Sequence, residues 1–93
     1  MPISKIAIDR LLPGVYGWQM FSEQEIMDED YGDHSVEECL ENAVGDLSPR
    51  FTLIEILYCG IHMGTVSTEN IRLCARNTAD QITALYSALV DTA

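Results

Sequence analysis

Positive charge is what this 93-residue chain has least of: Lys5, Arg10, Arg50, Arg72 and Arg76 stand against fifteen acidic residues, a formal net charge of −10. The five are scattered. No basic stripe exists to neutralise phosphates, so direct nucleic-acid binding is excluded and an anionic membrane surface is disfavoured. Cysteine is also scarce, with Cys39, Cys59 and Cys74 far apart and no Cys-x-x-Cys. A structural zinc site needs four closely organised ligands, so none is expected. Each cysteine falls in an apolar pattern, as buried free thiols do, and no signal-peptide pattern opens the chain. A reducing cytoplasm is therefore the expected setting. No apolar run approaches the roughly 20 residues that span a bilayer. Gly-x-Ser-x-Gly and phosphate-cradling glycine loops are missing too, which removes the commonest enzyme signatures.

What is present begins with acid. The stretch "EIMDEDYGDHSVEE", residues 25–38, holds seven carboxylates, and the wider window Glu23–Asp46 holds ten without one Lys or Arg. Yet 47% of the chain is hydrophobic, so this is no disordered acidic tail. One domain over residues 1–93 is expected, burying roughly 60–65% of the surface of the unfolded chain.

The segment "MPISKIAIDRLLPGVYGWQM" alternates at Ile6 and Ile8, turns at Pro13-Gly14 and continues with Val15, Tyr16 and Trp18. It predicts a small β-hairpin, with a short helix over Lys5–Leu12 as the competing reading. From residue 22 onward the punctuation reads as helical. Ser22 with Glu25 fits a capping box and Gly32 a stop, predicting a helix near 23–31. Ser35 with Glu38 repeats the box before Val36, Cys39, Leu40, Ala43, Val44 and Leu47, an apolar stripe that predicts a helix over 36–46.

In "SPRFTLIEILYCGIHMG", Ser48 and Pro49 read as a helix start and Gly64 as its end, predicting a central helix over 49–63 with a close crossing at Gly60. Ser67 opens "TENIRLCAR", and Thr78 with Gln81 opens a last helix that buries Ile82, Leu85, Tyr86 and Leu89. The resulting expectation is a mainly α fold, a bundle of four to five short helices with an N-terminal β-hairpin or extended segment. The alternative is α+β, with residues 51–66 as strands.

An EF-hand from Asp28 fails, because Gly32, Asp33 and Cys39 fall where a ligand, the glycine and the closing glutamate belong. Cys59 and His62 lack a third orienting group for nucleophilic catalysis. Glu55, alone in an apolar segment, reads as a residue reaching solvent or pairing with Arg50. No catalytic, cofactor or metal residues are expected. The acidic window itself reads either as a solvated skin or as a surface facing a basic partner.

Taken in order, a short acidic segment before "HSVEECL", then "SPRFTLIEILYCGIHMG", "VSTENIRLC" and "ADQITALYSALV" resemble the small tail assembly chaperones of long-tailed phages and gene transfer agents. Residues 52–90 carry the resemblance, with looser correspondence back to Trp18. It implies a non-enzymatic protein in the cytoplasm of a bacterial host that holds hydrophobic helices of a tape-measure protein. Met20, Met27 and Met63 would suit adaptable contact with such helices, or serve as plain core. The rival expectation is a small acidic phage inhibitor of the anti-CRISPR or nucleic-acid-mimic type, blocking a basic channel of a host defence or replication protein. A third option is an oligomerising module that pairs with its own copies. Under these readings the partner-binding candidates are Asp28, Glu29, Asp30, Asp33, Glu37, Glu41, Met63 and Tyr86. The partner expected is a protein with a hydrophobic helical or basic surface.

Overall fold

A computed structural model describes residues 3–91. The chain folds as five strands and three helices: β1 Ile3–Leu12, β2 Val15–Ser22, β3 Glu25–Asp33, α1 Val36–Gly45, β4 Leu53–Tyr58, β5 Ile61–Ser67, α2 Thr68–Leu73 and α3 Ala75–Asp91. The strands form one mixed sheet in the order β3-β2-β1-β4-β5. β1, β2 and β3 run as an antiparallel meander; α1 then returns the chain so that β4 lies parallel to β1, and β5 pairs antiparallel with β4.

Register places the core. Ile6 lies opposite Met20 on one side and Ile56 on the other, so these three side chains share a face, as do Ile8, Trp18 and Tyr58. Onto that face the helices bring Val36, Leu40 and Val44 from α1, Ile71 from α2 and Ile82 from α3. The opposite face carries Lys5, Ala7, Gln19, Phe21, Leu53, Glu55 and Leu57, half-buried by their neighbours and covered by no helix. The architecture is therefore two layers, with helices on one side only.

The expected helical bundle is not what forms. The fold is α+β, as the alternative with strands over 51–66 had it. Segment 49–63 is a turn, then β4 and the start of β5, with Cys59-Gly60 as the two-residue connection. Both residues have positive φ, +51° and +81°, the requirement of a type I′ hairpin turn, so Gly60 serves a reversal and not a helix crossing. An apolar run with no dominant period fits a strand flanked on both sides as well as a buried helix. β4 is such a strand, with Ile54, Ile56 and Tyr58 inward and Leu53, Glu55 and Leu57 on the other face.

The helix expected near 23–31 is likewise the second hairpin turn and most of β3. Ser22 faces Glu25 across a two-residue loop, with Glu23 at φ +59°. The apparent capping box was a hairpin closure.

The helix expected over 36–46 forms as α1. Ser35 accepts a hydrogen bond from the Glu38 N–H at 3.1 Å, and Glu37 and Glu38 sit in the first turn, where the helix dipole favours negative charge. At its other end Arg72 of α2 donates to the Val44 and Leu47 carbonyls at 3.3 and 3.0 Å, satisfying groups the helix leaves open. Ser67 caps α2 through the Asn70 N–H. The last helix begins at Ala75, so Thr78 lies inside it as a buried residue and caps nothing. α3 packs through Ala75, Ala79 and Ile82, and Tyr86 meets Tyr58 edge-on at 4.9 Å. Leu85 and Leu89, expected in the core, are exposed. The free cysteines are buried at Cys39, half-buried at Cys59 and exposed at Cys74, so the expectation of three buried thiols holds for one.

Candidate functional site: an acidic edge strand and its groove

β3 is an edge strand, paired with β2 and, among the described residues, with no strand on its other side. A strand bonded on one side only exposes its outer backbone, and here the side chains are exposed as well, every β3 residue except Asp33. This is how a sequence rich in Asp and Glu, poor strand formers, enters a sheet. It occupies the position where neither face asks for apolar residues. Met27 is a bulge, the extra residue between the pairs Phe21↔Ile26 and Met20↔Asp28.

The backbone of β3 is satisfied locally on its free side. The Glu29 N–H donates to Asp28 Oδ1 at 2.9 Å, and the Tyr31 N–H to Asp30 Oδ1 at 2.8 Å. Each aspartate thus covers the next outward-facing donor. At the strand's end Asp33 turns inward. It is 5% exposed, and it accepts from Trp18 Nε1 at 3.0 Å and Asn42 Nδ2 at 2.9 Å. Burial, and then the nearby Asp33 carboxylate, push the Cys39 thiol up to about 12. Asp33 therefore ties β2, β3 and α1 together.

Between β3 and α1 runs a groove made of two adjoining cavities that share Asp28 and Asp46. The larger, about 410 Å³, has Met20, Met27, Leu47 and Phe51 among its walls together with Arg50. The smaller, about 330 Å³, is bounded by Trp18, Glu29, Asp30 and Asn42. An apolar floor under a rim of carboxylates suits a long cationic side chain, whose alkyl stem and charged head want different surroundings.

The carboxylates are not neutralised from within. Among the described residues the ion pairs are His34 with Glu38 at 3.5 Å and Glu55 with His62 Nε2 at 2.8 Å; no Lys or Arg joins one. Glu55 thus pairs with His62 and not with Arg50. Arg50 lies over the Phe51 ring at 5.0 Å and Lys5 over Phe21 at 5.6 Å.

Of the candidates named from sequence, Asp28 and Asp30 converge on this site; the Glu29 carboxylate lies on the other face of the sheet, accepting from Gln19 Nε2 at 3.2 Å and the Tyr31 hydroxyl at 3.4 Å. Asp33 is a buried anchor. Glu37 and Glu41 line separate hollows towards α3 and α2. Met63 and Tyr86 pack against the core beside β4 and β5. Met20 and Met27, read as suited to adaptable contact, lie in the floor; Asn42, Asp46, Leu47 and Phe51 were missed, because they join the acidic strand only when α1 lies across the sheet. Among the described residues no cluster of His, Cys, Asp or Glu is arranged to hold a metal ion, and no helix is long and apolar enough to cross a membrane. Comparison with protein-family models, curated proteins and solved structures returns no match.

Proposed function

We propose that this is a non-enzymatic protein-binding protein whose β3–α1 face receives a positively charged segment of another protein. The observation that carries the reading is the uncompensated charge of that face: Asp28, Asp30 and Asp46 surround a groove with an apolar floor, and among the described residues no Lys or Arg ion-pairs with them. Unpaired like charges on one surface raise the local potential and speed encounter with a cationic partner. The tape-measure chaperone resemblance requires a buried helix over 49–63, and that segment makes β4 and part of β5.

The second reading, an inhibitor occupying a basic nucleic-acid channel, is favoured by one feature. The window Glu23–Asp46 carries ten acidic residues and no Lys or Arg, a single-sign surface of the kind a basic channel attracts. Competition decides between the two. A decoy displaces single-stranded DNA from a basic DNA-binding protein, whereas a partner-binding module leaves that complex intact.

The test of the main reading is amide chemical-shift mapping with a deca-lysine probe at low and at ~0.5 M salt. The expected result is a response concentrated on β3, Asn42 and Asp46 that fades as salt screens it. A response spread equally over remote acids such as Glu69 and Asp80 sinks the reading.

A further inference from the structure

Building on that reading, we infer that the partner binds as a sixth strand on the free edge of β3, with Lys or Arg at alternate positions facing Asp28 and Asp30. The occupant follows from what the edge excludes. A second copy laid antiparallel along β3 would set carboxylates against carboxylates, which destabilises cross-strand pairs. A neutral strand would meet outward amides of Glu29 and Tyr31 that already hold acceptors, the Asp28 and Asp30 carboxylates. It would displace those carboxylates and leave them without a partner.

A basic strand completes the exchange. Its carbonyls take the Glu29 and Tyr31 N–H groups, and its cations take the two released carboxylates, so every group that loses a partner gains one. Strand addition draws affinity from main-chain hydrogen bonds and selectivity from pockets for alternate side chains. Such pockets are present here. Asp28 and Asp30 stand on the helix side of the sheet, in register with Met20 and Trp18, and line the groove. Side chains of an added strand on that side reach the same rim. The self-capped edge is thereby closed to most strands and open to a cationic one.

The experiment uses the full chain and a capped peptide alternating Lys and Val over eight residues, with a backbone N-methylated version of equal charge as its control. Strand addition predicts that the Glu29 and Tyr31 amides gain hydrogen-exchange protection. It also predicts that N-methylation, which removes the peptide N–H donors to the outward Glu29 and Tyr31 carbonyls, weakens binding by at least about tenfold, the worth of two backbone hydrogen bonds. The double variant Asp28→Asn, Asp30→Asn keeps a side-chain oxygen for each amide but loses the charge. It should weaken the Lys-Val peptide about fivefold, as two exposed ion pairs would. Equal binding of both peptides to β3, with no protection of Glu29 or Tyr31, overturns strand addition and leaves the charged-face reading standing. Binding of neither peptide, while deca-lysine still maps to β3, overturns it as well. Failure of all three cations at this face removes both.

Discussion

The two edges of the sheet, β3 and β5, hold the same topological position and are built from opposite chemistry. β3 carries five carboxylates in nine residues, and β5 carries no Asp, Glu, Lys or Arg in seven. Met63 and Val66 of β5 pack against the core, and α2 and α3 lie against that strand, whereas β3 meets α1 across the groove and buries only Asp33. Both strands are bulged, β3 at Met27 and β5 at Met63. An edge can be guarded by charge or by being built into the core, and this molecule uses one device on each side. The guard made of charge is the one that a partner of opposite charge can release.

The comparison breaks first on stability. Ile56 is 1% exposed between Ile6 and β5, and Ile26 on β3 is 53% exposed. Ile56→Ala should cost about 3–4 kcal/mol in urea unfolding, and Ile26→Ala less than about 1. Similar losses at the two sites would show that β3 is part of the core after all. Asp33→Ala tests the one inward anchor of β3. It strands the Trp18 and Asn42 donors in the interior and should remove about 2–3 kcal/mol, with a change in Trp18 fluorescence. A loss below ~0.5 kcal/mol would mean that the anchor is incidental.

Alkaline pH reads each side with its own group. Cys39 reports on α1 and the end of β3, and Tyr58 on the start of the β4–β5 hairpin; both are pushed up to about 12, by burial first. In the unfolded chain they ionise near 9.0 and 10.0, so folding holds them neutral where the unfolded chain would not. Their contribution is complete below pH ~9. It is lost as pH rises towards 12, at up to about 1.4 kcal/mol per pH unit for each group. Alkylation at pH 9 should accordingly modify the exposed Cys74 and spare Cys39, measured by mass spectrometry. Equal modification would show that the Asp33 corner opens freely.

The smallest effect concerns the turns that lead into the edges. Glu23 holds φ +59° without a glycine's freedom, so Glu23→Gly should raise the melting midpoint by the equivalent of about 0.5–1 kcal/mol. Cys59→Asn at φ +51° relieves less, because the Cys59 side chain also packs against the core. A larger gain at Cys59 would reverse the ranking of the two turns.

Much of the molecule can be traced to short stretches of chain. Alternating Ile6 and Ile8, with Pro13-Gly14 behind them, specify the first hairpin, where Gly14 takes φ +77°. Ser35, Glu38 and the apolar stripe specify α1, because a helix satisfies its backbone from its own residues and its caps lie within a few positions. Of the site, the acids Asp28 and Asp30 were legible as charge, and Asp33 was read as surface although Trp18 and Asn42 bury it.

The sequence alone therefore determined the sign and location of the charge, the first hairpin, α1 and its cap. Tertiary structure decided that 25–33 and 53–67 are strands, because a strand's hydrogen bonds come from other parts of the chain. Ile56 becomes β structure by lying between Ile6 and Gly64, and Asp28 by lying beside Met20. Tertiary structure also turned a run of acids into an edge with a groove behind it, since Asn42 and Asp46 meet that run only when α1 crosses the sheet.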